Sequence, residues 1–291
     1  MNLNRTLSCL TLGVAAAVIG VPAQAACMSD AEISSLFDAY NQAVPAPNPQ
    51  GLSTADGECS RAKFIRMLSF QLGEPVGYKA GLTNPAVQKR FNHDAPVWGA
   101  LYGPMLLQDG AVVPVNFGAR ALFEADMLVR VSSANVNRAG TPAEVLAAID
   151  QVIPFIELPD LVVQAPTQLN GAAISAINVG ARLGVMGKPQ PVPASASERT
   201  LMLEDLRVMT AVVSVDGAEV DRGKGSDVLD HPLNAVVWLV KDLARFGIAL
   251  KPGDLISLGS FSRLLPPKAG STVEVAYYML PGTPKVRVSF K

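Results

Sequence analysis

Three carboxylic acids and one lysine stand in segments where charge is out of place. Glu124 and Asp126 fall two positions apart inside the apolar run ALFEADMLVRV, and Glu157 follows in the similarly apolar IPFIELPD. Residues two apart in a strand share a face, so Glu124 and Asp126 project together. Neighbouring carboxylates repel, and desolvation drives at least one towards protonation unless a cation lies between them. A divalent ion resolves that conflict, and an all-oxygen set without a usable His or Cys cluster suits a hard ion, Mg²⁺ or Mn²⁺. The alternative is an edge strand whose acids face water. Lys79, in VGYKAGLT, follows a strand-like segment and precedes Ala-Gly. It either joins an acidic centre, moving protons or holding a substrate carboxylate, or is a solvated surface lysine.

Other chemistry is less well supported. Gly223 and Gly225 of RGKGSDVLDHPLN precede a helix start and could cradle an anion, but the spacing matches neither a P-loop nor a dinucleotide fingerprint. His231 reads as a helix-start residue and His93 stands alone in a polar turn. With two histidines in the chain and no Ser/His/Asp or Cys/His set, hydrolysis through an activated nucleophile is not supported.

The elements that must position these residues begin after a leader. Residues 1–25, MNLNRTLSCLTLGVAAAVIGVPAQA, carry one Arg, an apolar run and an A-x-A triplet, the pattern of a secretory signal peptide cut after Ala25. The mature chain is then periplasmic or secreted, with no membrane attachment after cleavage. Loss of Arg5 takes the formal charge from -1 to -2, which leaves no basic excess for nucleic acid or anionic lipid and points to small soluble partners. Cys27 and Cys59 remain, and an oxidising compartment favours their pairing over two separate buried thiols.

Residues 26–75 form an N-terminal helical segment, with helices in SDAEISSLFDAYNQA and ECSRAKFIRMLSFQLG. Residues 76–291 are rich in short alternating apolar runs broken by Gly and Pro, among them VWGALYGPM, VMTAVVSVDGAEV, TVEVAYYM and KVRVSF. They describe a β-rich domain. Two further helices are expected there. One is TPAEVLAAIDQVIPFIEL, with Thr141 as N-cap and Glu157 where it runs out. The other is DHPLNAVVWLVKDLARFG, from Asp230 to a stop at Gly247. GKPQPVPASAS, residues 187–197, reads as a linker.

Taken together, GYKAGLTNPAVQKR, FEADMLV, VIPFIELPD, GKGSDVLDHPLNAVVWL and GDLISLGSF resemble the 2-keto-4-pentenoate hydratase family. This group lies within the fumarylacetoacetate hydrolase superfamily. The resemblance runs in order from about residue 60 to the C-terminus. It implies an α+β fold around a rolled mixed β-sheet, a bound Mg²⁺ or Mn²⁺ and a homo-oligomer. The family's metal-binding E-x-E pair and later Glu map to Glu124, Asp126 and Glu157, and its GYK lysine maps to Lys79 as the catalytic residue. Asn178, Ser260 and Phe261 map to substrate-binding positions. The implied activity is a metal-dependent lyase that hydrates a small 2-oxo or 2-hydroxy unsaturated acid such as 2-hydroxypenta-2,4-dienoate. A 4-oxalocrotonate-type decarboxylase and a catalytically silent periplasmic binding protein are the alternatives.

The chain departs from the family pattern in several places. Asp126 replaces the second Glu, Ile177 stands where an Asp precedes the Asn, Val97 replaces an acidic residue, and Gly103-Pro104-Met105 replaces an acidic pair before Met. These losses imply a depleted pocket with an altered substrate or weakened chemistry. Export also departs from the family's setting, cytoplasmic aromatic catabolism.

Overall fold

A computed structural model describes residues 27–291, and the signal-peptide expectation lies outside them. Two helices lead in, α1 (Asp30–Gln42) and α2 (Thr54–Leu72). Each opens on a capping box, Ser29 with Glu32 and Ser53 with Asp56, which satisfies backbone N–H groups that have no helical partner. Cys27 and Cys59 are disulfide-bonded, with Cα atoms 5.6 Å apart, and tie the start of the described chain to α2.

The remainder is a pair of sheets with helices around them. The larger sheet contains β1 (Pro75–Gly81), β2 (Val97–Tyr102), β3 (Leu106–Gln108), β5 (Glu124–Val131), β6 (Ile149–Leu158), β7 (Leu183–Met186) and β11 (Leu255–Ser257). Their order is β2-β1-β11-β5-β6-β7-β3, and the short β8 (Gln190–Pro191) pairs with β6. The smaller sheet contains β4 (Ala111–Val113), β9 (Thr210–Val215), β10 (Ala218–Lys224), β12 (Thr272–Tyr278) and β13 (Lys285–Phe290), in the order β10-β9-β12-β13-β4. Parallel and antiparallel pairs mix in both, so the α+β class with mixed sheets is as expected.

The other helices are α3 (Pro85–Arg90), α4 (Pro142–Leu146), α5 (Gly171–Ala176), α6 (Ala196–Val208) and α7 (Asn234–Ala244). One apolar core joins residues of the two sheets to α6 and α7. A second packs α1, α2 and α5 with residues of β2 and its surroundings. Tyr277 of β12 crosses between the sheets. Its hydroxyl donates to the carbonyl of Asp126 and lies 2.9 Å from that of Phe155, and it accepts from Phe155 N at 3.2 Å.

Three expectations need correction. The helix expected over 141–158 ends at Leu146, and Ile149–Leu158 is strand β6. Thr141 does cap a helical turn, its hydroxyl accepting from Glu144 N, but Pro154 cannot sit inside a helix and Val152, Ile153, Phe155 and Ile156 favour a strand. With nearly every β6 side chain buried, no polar-out alternation reveals its period. The helix expected from Asp230 starts at Asn234, because Leu229 and Asp230 hold left-handed backbone, φ 48° and 65°. The 187–197 linker contains β8, and Ser195 within it caps α6, a helix absent from the sequence expectations.

Candidate active site

The β5–β6 register sets Glu124 directly opposite Glu157, and Asp126 follows on the same face of β5. Because β5 lies between β11 and β6, the edge-strand alternative for the acids is excluded. Glu124, Asp126 and Glu157 are 9%, 0% and 2% exposed. Lys79, 3% exposed, comes from β1 two strands away, in register with Ser257 of β11. Its ammonium forms an ion pair with Glu157 and donates to the carbonyl of Val179 at 3.0 Å.

Asp126 is held at both oxygens. Oδ2 accepts from Ser257 Oγ at 2.5 Å, and Oδ1 accepts from the backbone N–H groups of Met127 and Gly259 at 2.5 and 3.1 Å. The segment after Gly259 is bonded to β5 at Ala125: Phe261 N donates to its carbonyl at 2.8 Å, and its N–H donates to Ser262 Oγ at 2.9 Å.

Burial dominates the electrostatics of this cluster. Desolvation, and then the charge of Glu157, push Asp126 up to about 7. The same two causes in the same order raise Glu124 well above the carboxylate range, against the opposing pull of Lys79. A single lysine thus faces three buried acids.

A cavity of about 310 Å³ opens over the cluster. Lys79 and Glu124 are the buried ionisable groups that line it, and Val179, Ser260 and Phe261 line it beside them. Asp126 and Glu157 lie behind that wall. Asn178, expected to touch substrate, does not line the cavity: it is fully buried and its amide is bonded to the backbone of Ala100. Val97 and Ile177 also lie away from the cavity, in the second apolar core, and Gly103 and Pro104 are exposed elsewhere on the surface and do not line it. The departures at those positions therefore leave the cavity lining untouched, and the expected depletion of the pocket does not follow from them.

The remaining candidates have structural roles. A side chain at Gly223 or Gly225 would collide with the carbonyl of Phe261 or Leu206, so these glycines serve close packing, and Gly225 N donates to Met209 O at 2.9 Å. His231 is buried between Leu203 O and Leu233 N, at 3.0 and 3.1 Å. Sequence reasoning missed the Val179 carbonyl, Ser257 and Tyr277. Ser257 is visible in the sequence only as a polar residue inside DLISLG, and a backbone carbonyl leaves no signal in residue types.

The donor chemistry fits a hard divalent cation: three buried carboxylates, excess negative charge and no soft ligand. Their present arrangement is hydrogen-bonded instead of ligating. Among the described residues no group of three or more His, Cys, Asp or Glu side chains is set to hold a metal ion. Glu157 is turned to Lys79, and both Asp126 oxygens are engaged.

Comparison with known proteins fixes the class. A 2-oxo-hept-4-ene-1,7-dioate hydratase of Escherichia coli is 31% identical over 234 residues, spanning 78% of this chain and 84% of that protein. A 2-keto-4-pentenoate hydratase of Burkholderia vietnamiensis is 28% identical over 223 residues, 74% and 81% of the two chains. Among solved structures, a 4-oxalocrotonate decarboxylase from Pseudomonas putida G7, complexed with calcium and acetate, superposes with a TM-score of 0.77. It covers 90% of this chain and 96% of its own at 24% identity. No family model matches the chain. The relatives, with the fold shared with the decarboxylase, place the protein among hydratase-like lyases. The chain belongs to the 2-keto-4-pentenoate hydratase family, and it is a hydratase-like enzyme.

Proposed function

We propose that this chain is a metal-dependent hydratase for a small unsaturated 2-oxo or 2-hydroxy acid such as 2-hydroxypenta-2,4-dienoate. The observation that carries the reading is the buried Glu124–Asp126–Glu157 cluster, with one lysine for three acids, under a cavity of ligand size. Glu124, Asp126 and Glu157 would hold the Mg²⁺ or Mn²⁺, which supplies a Lewis acid towards the carboxylate and C2 oxygen of such an acid. Relatives named as hydratases, and the calcium bound in the decarboxylase of the same fold, support this reading.

The chain's own residues do the rest. Hydration of the dienoate moves a proton from the C2 hydroxyl to C5 and then adds water across C3–C4, with the oxygen going to C4. Lys79 is the proton carrier. Of its three N–H groups, one serves Glu157 and one the Val179 carbonyl, which leaves one for a molecule in the cavity it lines. Ser257 and Gly259 N–H hold the Asp126 carboxylate still, so its shorter side chain keeps a fixed place. Ser260 and Phe261 contact the substrate from the opposite strand connection.

The enzyme works outside the cytoplasm as a homo-oligomer. The signal-like residues 1–25 and the Cys27–Cys59 disulfide support export. The test is to load the mature protein with Mn²⁺ and follow the ultraviolet absorbance of 2-hydroxypenta-2,4-dienoate. CO₂ release from 4-oxalocrotonate is recorded in parallel. Because Arg90 lines the cavity without an acidic partner among the described residues, a dicarboxylic dienoate is included. Metal-dependent decay that Glu124→Ala abolishes establishes the hydratase. CO₂ release in its place identifies a decarboxylase, and metal uptake with no turnover of any of these acids identifies a binding protein.

A further inference from the structure

Three successive residues behind Lys79 hold left-handed backbone: Asn178, Val179 and Gly180, with φ 54°, 53° and 67°. Glycine adopts this region freely and asparagine tolerates it, but a β-branched valine there is an outlier that its surroundings must enforce. Such strain is a starting point for asking what the conformation does.

The surroundings are specific. The Asn178 side chain clamps β2 at one residue, accepting from Ala100 N at 2.7 Å and donating to Ala100 O at 3.0 Å. The far end is fixed by Asp160 N, which donates to Gly180 O at 2.9 Å, and the turn is closed by Ala181 N bonding back to Asn178 O at 3.1 Å. Two glycines make room for it. A Cβ on Gly99, the register partner of Lys79, would strike the Asn178 carbonyl, and one on Gly81 would strike the Val179 side chain. The strands that carry Lys79 and its neighbour are therefore cut to receive this turn. Its hydrogen bond to the chemistry is made by the Val179 carbonyl, 3.0 Å from Lys79 Nζ.

We infer that the turn is a positioning device for Lys79: the Asn178 amide, anchored on Ala100, holds Val179 left-handed so that its carbonyl fixes the ammonium beside Glu157. Asn178 is then a positioning residue, acting two steps from the substrate it never touches. A right-handed or extended Val179 would rotate that carbonyl away and leave Lys79 tethered by Glu157 alone. The inference rests on the proposed lyase reading only for its kinetic consequence, since the hold on the ammonium is a property of the resting protein.

The test combines two readouts on the full mature chain. In the first, Lys79 acylation by an N-hydroxysuccinimide ester is timed by peptide mass spectrometry, with Lys63 and Lys285 as internal controls. Asn178→Ala and Asn178→Gly both remove the clamp. The glycine variant suits φ 54° and keeps the measurement open should the alanine variant fail to fold. Both should acylate at Lys79 several-fold faster, with the controls unchanged. Val179→Gly keeps a carbonyl on backbone that favours the left-handed region, and should leave Lys79 acylation near the wild-type rate. In the second readout, loss of the clamp should lower kcat by about 10²-fold, the scale of a misplaced catalytic group. KM should stay within about threefold, as expected when only the transition state loses support.

Unchanged Lys79 acylation in both Asn178 variants overturns the inference, whatever happens to kcat. Faster acylation in Val179→Gly equal to that in Asn178→Ala also overturns it, because side-chain packing and not the carbonyl would then hold the lysine. If the wild type turns over none of the acids tested, the reading of function fails while the acylation readout still decides the inference.

Discussion

The two sheets treat carboxylates in opposite ways. On β12, Glu274 faces Arg287 of β13 in register and accepts from Arg287 Nε and Lys285 Nζ at 2.5 and 2.9 Å. Those cations, Lys285 first, hold its carboxyl below the usual range. On β5 and β6, Glu124 and Glu157 occupy the equivalent cross-strand relation, yet burial and mutual repulsion drive Glu124 the other way. One pair is a solvated ladder with two cations for one acid; the other is a buried set with one cation for three acids. In this molecule coverage of the strand on both faces, and not the spacing of its acids, separates the site from the surface. Along β12 the buried positions begin by alternating, whereas along β5 nearly every residue is buried.

The contrast is broken most sharply at Lys79. Lys79→Ala leaves Glu157 buried with no ion-pair partner among the described residues, a loss that costs about 3–5 kcal/mol when one member of a buried pair is removed. Turnover should fall by about 10³-fold or more, within the range lost when a general acid–base group and its charge are deleted together. Chemical denaturation and steady-state kinetics check both. Wild-type stability and activity in this variant would show that the acids do not depend on the lysine.

The second prediction concerns pH. Ordinary carboxylates titrate near 4, but Asp126 is pushed up to about 7 by burial first and Glu157 second, and Glu124 is raised for the same reasons. Between those limits the folded protein binds more protons than the unfolded chain, so the metal-free protein loses stability as pH rises from about 4 through about 7. Glu274 acts in the opposite sense, with stability present above its ordinary value and lost as pH falls through its lowered one. Deprotonated acids need a cation, so Mg²⁺ or Mn²⁺ should stabilise more at about pH 8 than at about pH 5; at about pH 8 a roughly hundredfold excess over Kd gives a total of about 2.7 kcal/mol, and at about pH 5 the same concentration gives less. Thermal unfolding in chelator and in metal, across pH, checks it; a metal effect that does not grow with pH would count against the ligand assignment.

A smaller effect is expected where the two sheets meet. Tyr277→Phe keeps the ring and removes a hydroxyl that bonds to Asp126 O, Phe155 O and Phe155 N. Buried partners left unsatisfied cost about 1–3 kcal/mol, visible as a shift in the denaturation midpoint with little change in its slope.

How much of the molecule is legible in residue types differs between fold and site. Glu124, Asp126, Glu157 and Lys79 all stand out, because charge in an apolar run is a local signal. The β-rich domain and its helical lead-in are legible from period and caps. The strand β6 is not, since a segment buried on both faces has no alternation and Thr141–Pro142 supplies a true cap in front of it. Helix α6 follows a Pro-rich stretch and its apolar stripe is weak. Asn178 is expected at the substrate and instead braces the backbone, because a sequence shows that an amide is present but only the fold shows that Ala100 receives it. Val97 and Ile177 mislead in the same way, since a position where the resemblance implies an acid suggests a pocket until its neighbours prove to be core.

The last prediction takes the other side of the comparison. Glu274→Ala removes a partly exposed acid from two exposed cations, whose ion pairs are already screened by water and salt. The expected loss is about 0–1 kcal/mol, shrinking further at high ionic strength, with kcat and KM unchanged. Arg287 and Lys285 lose nothing that solvent cannot replace, whereas Glu157, 2% exposed and off the cavity wall, has no such replacement for Lys79. Measured beside Lys79→Ala under the same conditions, Glu274→Ala sets the scale for a strand acid that is only surface. A loss of activity there would mean that the smaller sheet reaches the site by a route beyond Tyr277, and the division of labour between the sheets would have to be redrawn.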